Sequence, residues 1–181
     1  MSESPTPSGL RNAELFGIYL NDHLASATGG IELVSRMLGI HTGSRFEEPL
    51  EQLLAELRDE KASLRAVMSA MDVPVRQYKQ IGTWVAEKVT RAKLNGRLLS
   101  RSPLSDLVEF EFLASGVRAK RSGFETLRIA AEVEPRLPKA ELDRLIDQAH
   151  RQYEWLTRTR REVAAEVFGG AAAAADRTPD A

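Results

Sequence analysis

Apolar residues recur every three to four positions along most of the chain, which is the period of an α-helix. Four stretches follow this period: about residues 11 to 38, 46 to 71, 105 to 133 and 139 to 168. No convincing run of alternating apolar and polar residues, the pattern of a half-buried strand, appears between them. The pattern predicts an all-α fold of four amphipathic helices.

Turn and capping residues indicate where these helices begin and end. Gly39 is expected to stop the first helix, Pro49 is tolerated in the first turn of the second, and Ser105 is a plausible N-cap of the third. Gly29 and Gly30 lie inside the first helix, where each costs about 1 kcal/mol relative to alanine. We therefore expect a kink or a close helix crossing at that point.

The lengths of the connections predict a topology. Short links join helices one and two and helices three and four, so each pair is expected to be antiparallel. Residues 74 to 104 form a much longer link, which permits a crossover. The prediction is a single ferritin-like four-helix-bundle domain over residues 11 to 168. Residues 1 to 10 and 169 to 181 offer little to bury and are expected to be disordered tails.

Composition removes several functional classes. The chain of 181 residues has no cysteine, so disulfides, thiolate nucleophiles and cysteine-ligated metals are excluded. Its net charge of -1 gives no global attraction to nucleic acid, and no nucleic-acid partner is expected. No start typical of a secretory signal and no long apolar run occurs, which predicts a cytoplasmic protein without a membrane partner.

Glu60 interrupts the apolar stripe of the second helix. Leu57 and Leu64 lie on either side of it on the same helical face. A carboxylate in that place is a metal ligand, half of a buried polar pair, or a side chain that reaches the solvent edge. The choice between these three decides much of the function.

Several stretches resemble the ferritin-like superfamily, and more closely a group of bacterial ferritin-like four-helix-bundle proteins. They are YLNDHLASATGGIEL, LLAELRDEKASLRAVM, WVAEKVTRAKLNGRLLSRSPLSDLVEFEFL and LDRLIDQAHRQYEWLTRTR. The resemblance covers about residues 12 to 168. It implies a four-helix bundle with a long helical crossover between helices two and three, but its motifs are not tied to a known reaction.

The resemblance also implies candidate metal ligands. Metal-binding members place a carboxylate on each of two helices and a Glu-x-x-His unit on each of the others. The residues that match most nearly are Asp22, Glu60, Glu111, Asp147 and His150. This set is rich in carboxylates and poor in imidazole, because Ser63 stands where a histidine would follow Glu60. A dinuclear iron or manganese site is therefore one alternative.

The preferred interpretation has no cofactor. Glu60 and Glu111 are expected to pair with Arg118, Arg36 or Lys61, since a buried carboxylate persists only when it is charge-paired and hydrogen-bonded. No catalytic residue is assigned, because the three histidines lie on different elements. A carrier that binds a small molecule in the bundle interior is a further alternative.

Segregated charge suggests association. Residues 76 to 101 hold seven cations and one acid, whereas residues 47 to 60 hold six acids and one cation. Trp84, with Val85 and Val89, adds apolar surface to the basic stretch, although Trp84 would equally cover an end of the bundle. The leading hypothesis is a non-catalytic bundle that acts by self-association, with a dimer favoured. The alternative is a metal-binding protein or oxidase on the same fold.

Overall fold

The structure is a computed structural model that describes residues 9–76 and 102–169. It contains four helices: α1 (Ala13–Ile40), α2 (Glu47–Ala70), α3 (Pro103–Ala130) and α4 (Lys139–Phe168). No strand occurs within the described ranges. For the part of the chain that is described, the prediction of an all-α fold with four main helices is confirmed, and each boundary lies within three residues of the expected one.

Side-chain caps explain where two of the helices begin. The Asn12 side-chain oxygen accepts a hydrogen bond from the Leu15 backbone N–H at 3.0 Å, and Ser102 Oγ accepts one from the Leu104 N–H at 3.3 Å. The third helix therefore begins at Pro103, and the expectation of a cap at Ser105 was wrong. Proline suits the first helical position because its ring fixes a helical φ and an N–H is not needed there.

The end of α2 is a Schellman motif built on a residue other than glycine. Asp72 has a φ of 55°, and its N–H donates to the Ser69 carbonyl at 3.1 Å. The Val73 N–H then donates to the Met68 carbonyl at 2.8 Å. These bonds satisfy carbonyl groups that the helix leaves free at its end, and they turn the chain back toward α1.

The core consists of two apolar clusters stacked along the bundle. The first apolar cluster is built around Val34, Leu50, Phe110 and Leu156. It gathers the end of α1, the start of α2, the start of α3 and the C-terminal half of α4. The second apolar cluster, with Leu20, Met68, Leu127 and Leu142 among its members, gathers the opposite end of each helix.

The two clusters fix the direction of every helix. Because α2 and α3 both begin in the first apolar cluster, they run in the same direction, whereas α1 and α4 run in the opposite one. The Phe46 and Phe110 rings, with centroids 5.1 Å apart, mark the shared starting end of α2 and α3. α1 packs against α2, α3 packs against α4, and α1 also packs against α3.

α1 and α3 approach each other closely at Gly123. A Cβ atom built on Gly123 would lie 2.5 Å from Cε1 of His23, whose ring also makes an edge contact with Tyr19. Burial lowers the pKa of His23 from its ordinary value, although the charge of Asp22 opposes this. A Cβ atom on Gly30 would meet no atom within 4 Å, so Gly30 makes no close crossing, whereas Gly123 does.

Some predicted features lie outside the described residues. These are residues 1–8, residues 77–101 with Trp84, Val85 and Val89, and residues 170–181. Leu10, which the sequence assigned to the N-terminal tail, is described and packs partly buried against the second apolar cluster. In the part of the chain that is described, no helix combines the length and apolar content needed to cross a bilayer.

Replacing Gly123 by alanine is expected to lower the free energy of unfolding by about 1 kcal/mol or more, because the new methyl group must displace the His23 ring. Gly116 lies on the same helix and offers a matched control, since a Cβ there meets nothing within 4 Å. Gly116→Ala is expected to raise the free energy of unfolding by up to about 1 kcal/mol, through helix propensity alone. Urea unfolding of both variants measures the difference, and equal stabilisation by the two would contradict the close approach.

Candidate functional site

A layer of polar side chains separates the two apolar clusters. Glu60 of α2 is only 3% exposed and lies between Leu57 of the first cluster and Leu64 of the second. Lys120 occupies the equivalent place on α3, and Gln148 and Gln152 occupy it on α4. We call Glu56, Glu60, Lys120, Gln148 and Gln152 the polar layer.

Three side chains hold the Glu60 carboxylate. The side-chain amides of Gln148 and Gln152 each donate to Glu60 Oε1 at 2.9 Å. The Lys120 ammonium donates to the other oxygen, Glu60 Oε2. The carboxylate of α2 is thus held by α3 and α4 together, and both of its oxygens accept hydrogen bonds from this chain.

Gln152 is the centre of the network because it uses its whole amide group. Its oxygen accepts from Lys120 Nζ at 2.5 Å, while its Nε2 donates both to Glu60 and, at 2.7 Å, to Glu56 Oε2. The second oxygen of Glu56 accepts from Gln52 Nε2 at 3.0 Å. An amide offers two N–H donors and an acceptor oxygen, and each of these is used here.

The network continues from Gln148 toward the edge of α4. Gln148 Oε1 accepts from the Arg144 guanidinium at 2.9 Å, and Arg144 also holds Glu141 with two hydrogen bonds of 2.7 and 2.8 Å. Ser63 of α2 donates to the same Glu141 carboxylate at 2.9 Å. The pKa of Glu141 is lowered, first by its hydrogen bonds from Arg144, against the opposing effect of burial. A second link between α2 and α4 therefore flanks the polar layer.

Burial and charge act in opposite directions on Lys120. Loss of water around the ammonium group lowers its pKa from the ordinary value. The neighbouring Glu60 carboxylate raises it, both through its charge and through the hydrogen bond. The pair therefore depends on direct contact, because either charge alone would be costly at this depth.

The structure does not bring the five predicted metal ligands together. Only Glu60 is buried, whereas Asp22, Glu111, Asp147 and His150 are exposed on their helices. The Nε2 atom of His150 lies 3.2 Å from Oε1 of Glu154 on the same helix. Among residues 9–76 and 102–169, no group of three or more histidine, aspartate or glutamate side chains is arranged to hold a metal ion.

The expected ion pairing of Glu60 occurs, but its partner differs from the three proposed. Lys120 forms the ion pair with Glu60. Arg36 instead donates from its guanidinium group to Oε1 of Glu109 at 3.0 Å. Lys61 follows Glu60 directly, so its side chain leaves the helix about 100° away from that of Glu60. Glu111 is a surface residue whose carboxylate lies 3.5 Å from the Arg160 guanidinium.

Sequence reasoning missed Lys120, Gln148 and Gln152. Lys120 lies on the core stripe of α3, three residues after Val117 and four before Phe124, as Glu60 does on α2. Gln148 and Gln152 are one helical turn apart on the buried face of α4. A charged or amide residue at a core position of each facing helix was the signal available.

Asn21 is another buried polar residue that the sequence did not single out. It is 2% exposed, its Nδ2 donates to the Gly17 and Pro74 carbonyls at 2.9 and 3.1 Å, and its Oδ1 accepts from the Arg76 backbone N–H at 2.7 Å. It fixes the chain that leaves α2 against α1. This role is structural, because its amide binds backbone groups at each of these contacts.

Comparisons with known proteins give no match. No protein-family model, no curated protein and no solved structure is similar to the chain. The site is therefore interpreted from its own geometry.

Replacing Lys120 by methionine is expected to lower the free energy of unfolding by about 3 kcal/mol, because it leaves the Glu60 carboxylate buried without its ion-pair partner. The double variant Glu60→Gln, Lys120→Met removes both charges. Its free energy of unfolding is expected to fall by less, about 1 kcal/mol. Urea unfolding followed by circular dichroism measures both.

Glu111→Gln is the control for this comparison, because it breaks an exposed ion pair with Arg160. Its expected cost is below about 1 kcal/mol. An equal loss in the single and double variants would show that the unpaired carboxylate is not what destabilises the Lys120→Met protein.

Proposed function

We propose that this protein is a non-catalytic, ferritin-like helical bundle that acts by association with a second copy of itself. The observation that carries the non-catalytic part is the position of Lys120. Its ammonium group donates hydrogen bonds to Glu60 and Gln152 at the centre of the bundle. The positive charge that a metal ion would supply there is supplied by a side chain of the protein.

The directions of the helices support the ferritin-like topology. α2 and α3 begin at the same end of the bundle, in the first apolar cluster. The end of α2 and the start of α3 therefore lie at opposite ends of the bundle, which is the arrangement that a long crossover would join. One long crossover of this kind distinguishes ferritin-like bundles from simple up-and-down bundles.

Exposed apolar side chains support association. Ile129 is 73% exposed and Val133 57% exposed, and both lie at the end of the bundle that holds the second apolar cluster. Leu15 and Val75 are exposed at the same end. Charge favours a second copy as the partner, because the acidic stretch 47–60 and the basic stretch 76–101 are complementary between copies.

A metal-binding function is the second candidate, and the proximity of two carboxylates favours it. Glu56 and Glu60 both accept hydrogen bonds from Gln152 Nε2, so their oxygens lie close to one another near the bundle centre. Carboxylate oxygens are ligands suited to iron and manganese. In this alternative, a metal ion has to displace the Lys120 ammonium from Glu60.

Metal analysis separates the two candidates. Protein purified without a chelator is expected to contain far less than one iron or manganese ion per chain, because Lys120 already compensates the charge of Glu60. A content of about two ions per chain, the stoichiometry of a dinuclear carboxylate site, would overturn the proposal. Loss of that metal in Glu60→Ala would then assign the site.

Light scattering tests the association. At micromolar concentration the protein is expected to have about twice the 20.1 kDa monomer mass. The double variant Ile129→Glu, Val133→Glu is expected to be monomeric, since a desolvated carboxylate strongly opposes burial of this surface. Phe168→Glu is the control, because Phe168 is 71% exposed at the opposite end. A monomeric unmodified protein, or loss of the dimer in the control alone, would contradict the proposal.

A further inference from the structure

The three cations of α2 share one face of that helix. Arg58, Lys61 and Arg65 are spaced three and four residues apart, and α2 carries no other cation. Arg58 and Arg65 are exposed, and Lys61 is half-buried. The remaining charged residues of α2 are acidic, so the three positive charges form a distinct stripe on an otherwise negative helix.

None of the three stripe cations forms an ion pair with a described residue. Some arginines elsewhere are paired, as Arg128 is with Asp143 at 2.9 Å, whereas Arg118 and Arg151 are exposed. Burial lowers the pKa of Lys61, and the charge of Arg65 lowers it further against the opposing effect of Glu32. The cations therefore repel one another, and an anion between them would relieve that repulsion.

The stripe borders a groove of about 320 Å³. Its lining consists of Ile31 of α1 with the three cations and Ala62 of α2. Ile31 packs against the first apolar cluster and gives the groove an apolar wall anchored in the core. The groove is largely open to solvent, so a ligand there would bind mainly through its charge.

We propose that this groove binds a small anionic ligand through a diphosphate group. A guanidinium group presents paired N–H donors that match two phosphate oxygens, and the groove has two of them with an ammonium group between. A single phosphate carries up to two negative charges, so two linked phosphates fit three cations better than one does. Binding at this groove requires neither self-association nor the polar layer.

Isothermal titration of the full chain with inorganic pyrophosphate tests the proposal. One pyrophosphate is expected to bind per chain, about tenfold or more tightly than sulfate at equal ionic strength, because its two linked phosphates offer more negative charge and more acceptor oxygens to the three cations. Absence of binding overturns the proposal. Equal affinity for sulfate also overturns it, because that result indicates general attraction of anions.

Two variants show whether binding occurs in this groove. Lys61→Gln, Arg65→Gln is expected to weaken pyrophosphate binding about tenfold or more by removing two of the three contacts. Ala62→Phe keeps every charge and is expected to weaken it similarly by filling the groove. Unchanged pyrophosphate affinity in either variant overturns the proposal. Both variants are expected to remain folded by circular dichroism, because Ala62 and Arg65 are exposed.

The control removes two cations elsewhere. Arg118→Gln, Arg151→Gln changes the net charge by the same amount, and both arginines are exposed on other helices. Pyrophosphate affinity is expected to remain unchanged in this protein. If this control loses as much pyrophosphate affinity as Lys61→Gln, Arg65→Gln does, binding depends on net charge, and the groove is not the binding site.

Discussion

The packing of this bundle depends on the contact between Glu60 and Lys120. A carboxylate between two apolar clusters is tolerated only if its charge is matched and its oxygens accept hydrogen bonds. Lys120 supplies the charge, and Gln148 and Gln152 supply the remaining donors. Because these groups come from α3 and α4, the requirement fixes α2 against both helices. A slip of one turn, about 5.4 Å, would leave the carboxylate beside apolar side chains. We infer that the layer specifies register more than it adds stability.

α1 is held by different means, which makes the bundle asymmetric. Within the described residues α1 adds no side chain to the polar layer, and its contacts with α3 include the approach of Gly123 to His23 and the ion pair of Arg36 with Glu109. Asn21 fixes the chain after α2 to the same helix. The middle of α1 consists of small residues, ASATGG, and the cation-lined groove opens beside it on the α1 and α2 side. The polar layer joins the other three helices.

The hydrophobic period was enough to predict four helices and most of their boundaries, because an amphipathic stripe is a local property. It also placed Glu60 on the apolar stripe of the second helix, with a buried polar pair as one of three alternatives. It did not identify Lys120, since choosing among several cations requires the register between helices, which local pattern does not contain. The same limit affected Gly30 and Gly123: both are helical glycines in sequence, and only packing distinguishes the one that touches His23. The metal candidates Glu111, Asp147 and His150 were implied by the resemblance to the ferritin-like ligand pattern, and the structure places them on the surface.

Under the proposed function the bundle acts through its surface, because Lys120 and its partners fill the centre. The interior contacts are reciprocal: Gln152 uses both amide hydrogens and its oxygen, and Glu60 uses both carboxylate oxygens. A ligand entering there would have to replace several hydrogen bonds at once, each of which is costly to leave unmade when buried. The surface instead has exposed apolar side chains at one end and, beside α1, three cations that form no ion pair with the described residues. Apolar surface is best satisfied by another protein surface and clustered cations by a multivalent anion, so the two features call for different partners.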